Sequence, residues 1–123
     1  MEYKKTILWV DDMFKDQKWK YDFNYFFEPA GYNLVIFTLG YNAVKEMENG
    51  LRYDLGIVDL RLPDMDGYKV IIQSKEIYPE IPWFIFSAFP FPFPLSERGI
   101  EKPQDPSYLV RLVDDFFKKR EKQ

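Results

Sequence analysis

The chain has 123 residues, the size of a single domain, and a formal net charge of −3, which argues against general nucleic-acid binding because that requires a basic surface. It contains no cysteine and no histidine, so disulfides, thiol nucleophiles, Ser-His triads and histidine-ligated metals are excluded. The N-terminus lacks the features of a signal peptide, and no apolar stretch reaches the length of a membrane span. We therefore expect one cytoplasmic domain over residues 1–123, in which any bound metal has oxygen ligands.

Short apolar runs rich in β-branched and aromatic residues predict five strands. They lie at residues 6–10, 33–38, 55–60, 83–87 and, more weakly, 99–102. The first four are almost continuously apolar, which is typical of parallel strands that are covered on both faces.

Helical periods of apolar residues separate most of these strands. The four predicted faces are Trp19, Phe23, Phe26 and Phe27, closed by Pro29 and Gly31; Val44, Met47 and Leu51, stopped by Gly50; Val70, Ile71, Ser74 and Ile77, ended by Pro79; and Leu109, Val110, Val113, Phe116 and Phe117. Asp105 and Pro106 are the predicted N-cap and first residue of the last helix. The alternation of strands and helices predicts an α/β fold built from right-handed βαβ units around a parallel sheet.

Residues 89–94 break the pattern, because they read Phe-Pro-Phe-Pro-Phe-Pro. Proline removes a backbone donor and restricts the residue before it, so an α-helix is excluded there. Only fourteen residues separate Ser87 from Lys102, too few for a strand of about five residues plus a helix of about eleven. We expect the fourth helix to be missing or cut to one turn around residues 95–98. The aromatic rings of residues 89–94 then either cover the sheet or form a docking surface for a partner.

Polar residues follow the predicted strands at the points where the strands end. Asp11 and Asp12 end the first, Asp59 the third, Ser87 the fourth, and Lys102 the fifth. In an open parallel sheet the ligand site lies outside the carboxyl ends of the strands, so we expect these five side chains on one rim.

This set of side chains is suited to phosphoryl transfer onto a carboxylate. Clustered carboxylates raise one another's pKa unless a cation joins them, and Mg²⁺ accepts carboxylate, water and phosphate oxygens. A carboxylate can attack phosphorus, while Lys102 and the metal balance the charge of the transferred group and Ser87 donates a hydrogen bond to it. Each residue alone would suggest a helix cap, a turn or a surface position. Their joint occurrence in order favours one site.

The segments ILWVDDM, DLGIVDLRLPDMDGYKVI, IPWFIFSA and EKP resemble the receiver domain of bacterial response regulators over nearly the whole chain. The resemblance implies a doubly wound, flavodoxin-like five-stranded sheet in the order 2-1-3-4-5, and a loop shaped by Pro63 and Gly67. It also implies roles for six residues: Asp59 as phosphoacceptor, Asp12 as direct metal ligand, Asp11 as direct or water-mediated ligand, the Arg61 carbonyl as a further ligand, Ser87 as switch hydroxyl and Lys102 as phosphate partner.

By the same resemblance, a sensor histidine kinase or a histidine phosphotransfer protein would donate the phosphoryl group in the presence of Mg²⁺ or Mn²⁺. The domain would modify itself and slowly hydrolyse the product without acting on an independent substrate. Its output would be contact with an unknown downstream protein, with no direct binding to nucleic acid or membrane.

Two departures from the family leave an alternative open. Receivers usually carry an aromatic residue three positions before the lysine, where this chain has Gly99. The reduced fourth helix removes part of the family's usual output face. The alternative is a pseudo-receiver, an interaction module that works without phosphorylation. If the site is active, we expect residues 89–94 to replace the missing helix as the moving element.

Overall fold

Five parallel strands form one sheet in the order β2-β1-β3-β4-β5. The computed structural model describes residues 3–88 and 97–121. The strands are β1 (Lys5–Val10), β2 (Tyr32–Phe37), β3 (Leu55–Val58), β4 (Trp83–Ala88) and β5 (Arg98–Lys102). The helices are α1 (Gln17–Phe27), α2 (Gly40–Glu48), α3 (Gly67–Ile77) and α4 (Pro106–Glu121), with a 3-10 turn at Asp12–Lys15. The predicted α/β class and the 2-1-3-4-5 order are confirmed.

The sheet has a hydrophobic layer on each face. On one face α1 and α4 cover a hydrophobic cluster that contains Trp9. The rings of Phe14, Phe23 and Phe27 meet that indole edge-on, with centroids 5.0 to 5.5 Å away. On the other face α2 and α3 bury a separate cluster around Val58. Edge-to-face contacts suit aromatic rings because the positive ring edge meets the negative ring face. Many of the chain's rings are therefore core residues.

Most predicted element boundaries agree with the structure to within a few residues. The weak fifth strand does form, paired in parallel with β4 from Phe84 opposite Arg98 to Ala88 opposite Lys102. Asp105 caps α4 by accepting the backbone N–H of Ser107 at 2.9 Å. Gly50 ends the α2 region with a φ of 98°, a conformation that favours glycine.

The predicted apolar faces of α1 and α2 were partly wrong. Phe23 and Phe27 are buried, whereas Trp19 and Phe26 are 40% and 39% exposed. At about 100° per residue these four rings span an arc of about 100°, with Trp19 and Phe26 at one edge and Phe23 and Phe27 at the other, so the helix packs through the Phe23 and Phe27 side of the arc. Leu51 lies beyond the end of α2, because Gly50 has already turned the chain.

The connection from β4 to β5 consists of residues 89–97. The expectations for the Phe-Pro segment and for the missing helix fall on residues 89–96, which lie outside the described part of the chain. The predicted single helical turn around residues 95–98 was wrong at Arg98, because Arg98 is the first residue of β5 and pairs with Phe84. Across residues 3–88 and 97–121, every helix is too short or too polar to cross a bilayer.

A buried hydrogen-bonded group lies beneath α3. The Oγ of Ser74, which is 0% exposed, is 2.5 Å from the hydroxyl of Tyr53 and accepts the indole N–H of Trp83 at 2.9 Å. Ser74 thereby gives a hydrogen-bond partner to two buried polar groups, which would otherwise lose their bonds to water on folding and gain none in return.

We expect Ser74→Ala to lower the free energy of unfolding by about 2 kcal/mol, because it leaves the Tyr53 hydroxyl and the Trp83 indole N–H without this partner. Urea denaturation followed by circular dichroism measures the change. The control is Ile72→Ala on the same helix, where the side chain is 54% exposed and little is lost. Equal losses in the two variants would contradict the expectation.

Candidate functional site at the carboxyl edge of the sheet

The carboxyl ends of four neighbouring strands bring the predicted polar residues together. Asp11 and Asp59 directly follow β1 and β3, whose last paired residues are Val10 and Val58. Ser87 lies near the end of β4, and Lys102 is the last residue of β5. Since these strands are parallel and adjacent, all four side chains point into one rim.

Asp59 is the most heavily contacted side chain of the rim, and the residue is only 8% exposed. Its Oδ1 accepts the hydroxyl of Ser87 at 2.5 Å and the backbone N–H of Arg61 at 3.2 Å. Its Oδ2 accepts the ammonium of Lys102 at 2.8 Å. Both oxygens are thus held in fixed directions at the mouth of the site.

The Lys102 ammonium bridges two carboxylates. Its Nζ lies 2.8 Å from Asp59 Oδ2 and 2.8 Å from Asp11 Oδ2. Burial disfavours the charged form of Lys102, but the carboxylates of Asp11 and Asp59 outweigh burial and raise the pKa of Lys102 above its ordinary value. The lysine therefore stays protonated and provides a fixed positive charge beside Asp59. The peptide bond from Lys102 to Pro103 is cis.

Asp11 combines two roles that the sequence analysis treated as alternatives. Its Oδ1 caps the 3-10 turn by accepting the N–H of Met13 at 3.0 Å, and its Oδ2 faces Lys102. The side chain is fully buried, and this burial, opposed by the nearby ammonium, raises the pKa of Asp11 from 3.8 to about 6. Asp11 is thus a charged group under strong desolvation.

Three carboxylates converge here, because oxygens of Asp11, Asp12 and Asp59 all lie within 4.8 Å of one another. One ammonium cannot balance three negative charges at this separation, and the donor set consists of oxygen atoms only. Such a set fits a hard divalent cation. The cluster could therefore hold a metal ion.

The loop from Asp59 to Gly67 is folded tightly against the site. Gly67 donates its N–H to the carbonyl of Leu60 at 2.8 Å. A Cβ on Gly67 would lie 2.2 Å from the carbonyl oxygen of Asp59, so only glycine fits at that position. Arg61, whose carbonyl is a predicted metal ligand, forms an isolated antiparallel bridge with Asp66 in the same loop.

Asp64 and Asp66 have contacts that the sequence analysis missed. The Asp66 carboxylate caps α3 by accepting the N–H of Tyr68 at 2.9 Å. The Asp64 carboxylate accepts the N–H groups of Gly40 and Tyr41, the first two residues of α2. Nothing in the local sequence around α2 indicated a partner so far along the chain.

An apolar cavity of about 210 Å³ opens beside Lys102. It is lined by Met13, Trp19, Phe23, Phe86, Lys102, Pro103 and Gln104. Trp19, a member of the predicted apolar face of α1, forms part of this wall. The rim thus combines charged groups with an adjacent apolar surface.

No protein-family model matches the chain. Among curated proteins it is similar to the transcriptional regulatory protein CssR of Bacillus subtilis, with 38% identity over 63 residues, and to the response regulator SaeR of Staphylococcus epidermidis, with 29% identity over 95 residues. These matches cover 51% and 76% of this chain but only 27% and 36% of the relatives. The chain therefore spans about a third or less of either protein.

Solved structures show the same fold. A CheY-like response regulator receiver domain from Methanospirillum hungatei JF-1 superposes with a TM-score of 0.78 at 23% identity, covering 96% of this chain and 97% of that one. The chain thus has the sheet order and fold of solved receiver domains, and over part of its length its sequence is similar to those of curated response regulators.

The raised pKa of Asp11 predicts a pH dependence of stability in metal-free protein. The folded state binds the Asp11 proton more tightly than the unfolded chain does, so the protonated form of Asp11 stabilises the fold. This stabilisation is fully present below about pH 4 and is lost as the pH rises through about 6. Asp11→Asn cannot ionise. We expect its unfolding free energy, relative to the wild type, to increase steadily from about pH 4 to about pH 6.5.

Urea denaturation in the presence of EDTA, repeated across this pH range, measures that difference. Asp115→Asn, at an exposed position of α4, is the matched control and should show no such trend. A difference for Asp11→Asn that stays constant or falls with pH would contradict the assignment.

Proposed function

We propose that the chain acts over residues 1–123 as one receiver domain of a two-component phosphorelay, which takes a phosphoryl group from a phosphohistidine onto Asp59 and signals by protein–protein contact. The observation that carries this proposal is the set of contacts around Asp59. An ammonium and a hydroxyl bind its two oxygens, and two further carboxylates lie beside it.

In the proposed step, a carboxylate oxygen of Asp59 forms a bond to phosphorus as the bond between phosphorus and the histidine nitrogen breaks. The imidazole leaves with the electron pair of that bond, and Asp59 becomes an acyl phosphate. Lys102 would turn from its carboxylate partners to a phosphoryl oxygen, and Ser87 would donate its hydroxyl to another. Both groups already lie within hydrogen-bond distance of Asp59, so little rearrangement is needed.

We propose Mg²⁺, or Mn²⁺ in its place, as the cation of the site. Asp12 and Asp59 would bind it directly, Asp11 directly or through water, and Arg61 through its backbone carbonyl. When bound, the cation neutralises the carboxylates and the incoming phosphoryl oxygens. Without it, a dianionic phosphoryl group would approach three carboxylates, among which the described residues place one ammonium, that of Lys102.

The phosphodonor would be a sensor histidine kinase or a histidine phosphotransfer protein. Residues 1–123 contain no histidine, so the donor nitrogen must lie outside them. The apolar cavity beside Lys102, with the half-exposed Trp19 in its wall, provides a surface that a donor could contact while its histidine reaches Asp59. The receiver would catalyse its own phosphorylation and slow hydrolysis, and we expect no turnover of free phosphomonoesters.

One observation favours a second candidate function, that of a pseudo-receiver which binds partners without being phosphorylated. Gly99 lies on β5 opposite Ile85, at the position where receivers usually carry an aromatic switch residue. Glycine has no side chain that could follow the state of Asp59. The site could therefore accept phosphate while the usual signal to the surface is absent.

Intact-mass spectrometry after incubation with acetyl phosphate tests the proposed function. We expect one phosphoryl adduct on the wild type in the presence of Mg²⁺ and none after EDTA treatment. We expect no adduct on Asp59→Asn, because an amide is not a competent nucleophile here.

Asp115→Asn is the control and should be modified like the wild type. An adduct that persists on Asp59→Asn would remove Asp59 as the acceptor. The absence of any adduct, together with no change in tryptophan fluorescence on adding Mg²⁺, would favour the pseudo-receiver.

A further inference from the structure

The first turn of α2 is capped by a residue from a different part of the chain. Asp64 Oδ1 accepts the N–H of Gly40 at 3.0 Å, and Asp64 Oδ2 accepts the N–H of Tyr41 at 2.9 Å. Leu39, the residue at the N-cap position of α2, makes no side-chain cap hydrogen bond. The N–H groups at the start of a helix need external acceptors, and a carboxylate there also interacts favourably with the helix dipole. The loop after β3 supplies both.

Close packing accompanies these hydrogen bonds. A Cβ added to Gly40 would lie 2.7 Å from Met65 Cγ and 2.8 Å from Met65 Sδ, distances too short for a normal contact. Met65 therefore lies directly against the backbone of α2. Asp64 and Met65 together fix the loop to this helix by one polar and one apolar contact.

The other part of the same loop belongs to the site around Asp59. Arg61 donates its N–H to Asp59 Oδ1, and it lies only three residues before Asp64. The loop is closed on itself by the hydrogen bond from Gly67 to Leu60 and by the bridge between Arg61 and Asp66. A displacement at Asp64 would thus be passed on to Arg61 rather than absorbed by slack backbone.

We propose that Asp64 is a positioning residue for the metal site. By attaching the loop of residues 59–67 to the first turn of α2, it holds the Arg61 carbonyl where the cation binds. It also links cation binding to the stability of that turn. This inference rests on the proposed function, because it assumes that the carboxylate cluster binds a divalent cation. It adds a residue that contacts neither metal nor phosphate. Linkage requires that, if the α2 contact favours cation binding, cation binding strengthens the α2 contact by the same factor.

A purely structural cap would affect stability alone. Loss of Asp64 would then weaken the helix without changing the affinity for the cation. A positioning role requires that the affinity changes as well, and by more than the loss of a similar cap elsewhere produces. Partners that orient metal ligands from outside the first coordination sphere commonly change metal affinity by tenfold or more.

The experiment compares Asp64→Ala with Asp105→Ala. Asp105 is also an exposed aspartate that caps a helix, α4, and it has no described contact with the loop of residues 59–67. Isothermal titration calorimetry of the unphosphorylated proteins with MgCl₂ gives the dissociation constants. We expect Asp64→Ala to bind Mg²⁺ about tenfold more weakly than the wild type, and Asp105→Ala to bind it with unchanged affinity.

Asp64→Asn is a second, nearly isosteric variant. Its amide keeps one acceptor oxygen and presents an NH₂ group to the other N–H of α2, so we expect an intermediate loss of affinity. Hydrogen exchange of the Gly40 and Tyr41 amides provides a readout independent of affinity. In the wild type, saturating Mg²⁺ should slow their exchange by about tenfold, the same factor as the change in affinity, and in Asp64→Ala it should not.

The outcomes separate the inference from the function on which it rests. If the wild type binds no Mg²⁺, the proposed function fails and the positioning role fails with it. If the wild type binds Mg²⁺ and Asp64→Ala binds it equally well, the proposed function stands and the positioning role is wrong. A loss of affinity in Asp105→Ala as large as that in Asp64→Ala would also overturn it, since any helix cap would then have the same effect.

Discussion

The structure depends on a charge constraint at the carboxyl edge of the sheet. Three carboxylates lie within 4.8 Å of one another, and the single ammonium of Lys102 bridges two of them at 2.8 Å each. Asp11 is fully buried in this group, which is why its pKa rises even with the lysine beside it. The excess negative charge of this edge could be balanced by a divalent cation, which would in turn allow an anionic group to bind beside it.

The rest of the fold holds that edge in place. Parallel pairing of β1, β3, β4 and β5 fixes the spacing between the strand ends, and the hydrophobic layers on the two faces fix the strands. The indole of Trp9 lies at the centre of one layer, on the strand that leads directly to Asp11. Two carboxylates of the loop after Asp59 cap helices: Asp64 caps α2 and Asp66 caps α3. Packing and capping thus act on the same few residues as the proposed chemistry.

The proposed phosphoryl chemistry and the signal output of receiver domains depend on different parts of this fold. The groups around Asp59 are assembled from strand ends, which the sheet alone positions. The family's usual output face depends on the region after β4 and on the aromatic residue that Gly99 replaces here. Asp64 connects the loop of the site to the first turn of α2, because its carboxylate accepts the N–H groups of Gly40 and Tyr41. A change at the site could therefore reach the protein surface by a route that does not need Gly99.

The amino-acid sequence alone determined the α/β class, the five strands and the residues at their ends, because hydrophobic periodicity and strand-end positions are local properties. The resemblance to receiver domains then gave the sheet order and the roles proposed for Asp59, Ser87 and Lys102. Only the tertiary structure decided which aromatic rings of α1 are exposed, because that depends on how the helix is rotated about its axis against the sheet. It also decided that Asp11 is both a cap and an ion-pair partner, and that Asp64 caps α2. These contacts join residues far apart in the chain, and a local pattern carries no information about which distant backbone N–H a carboxylate will meet.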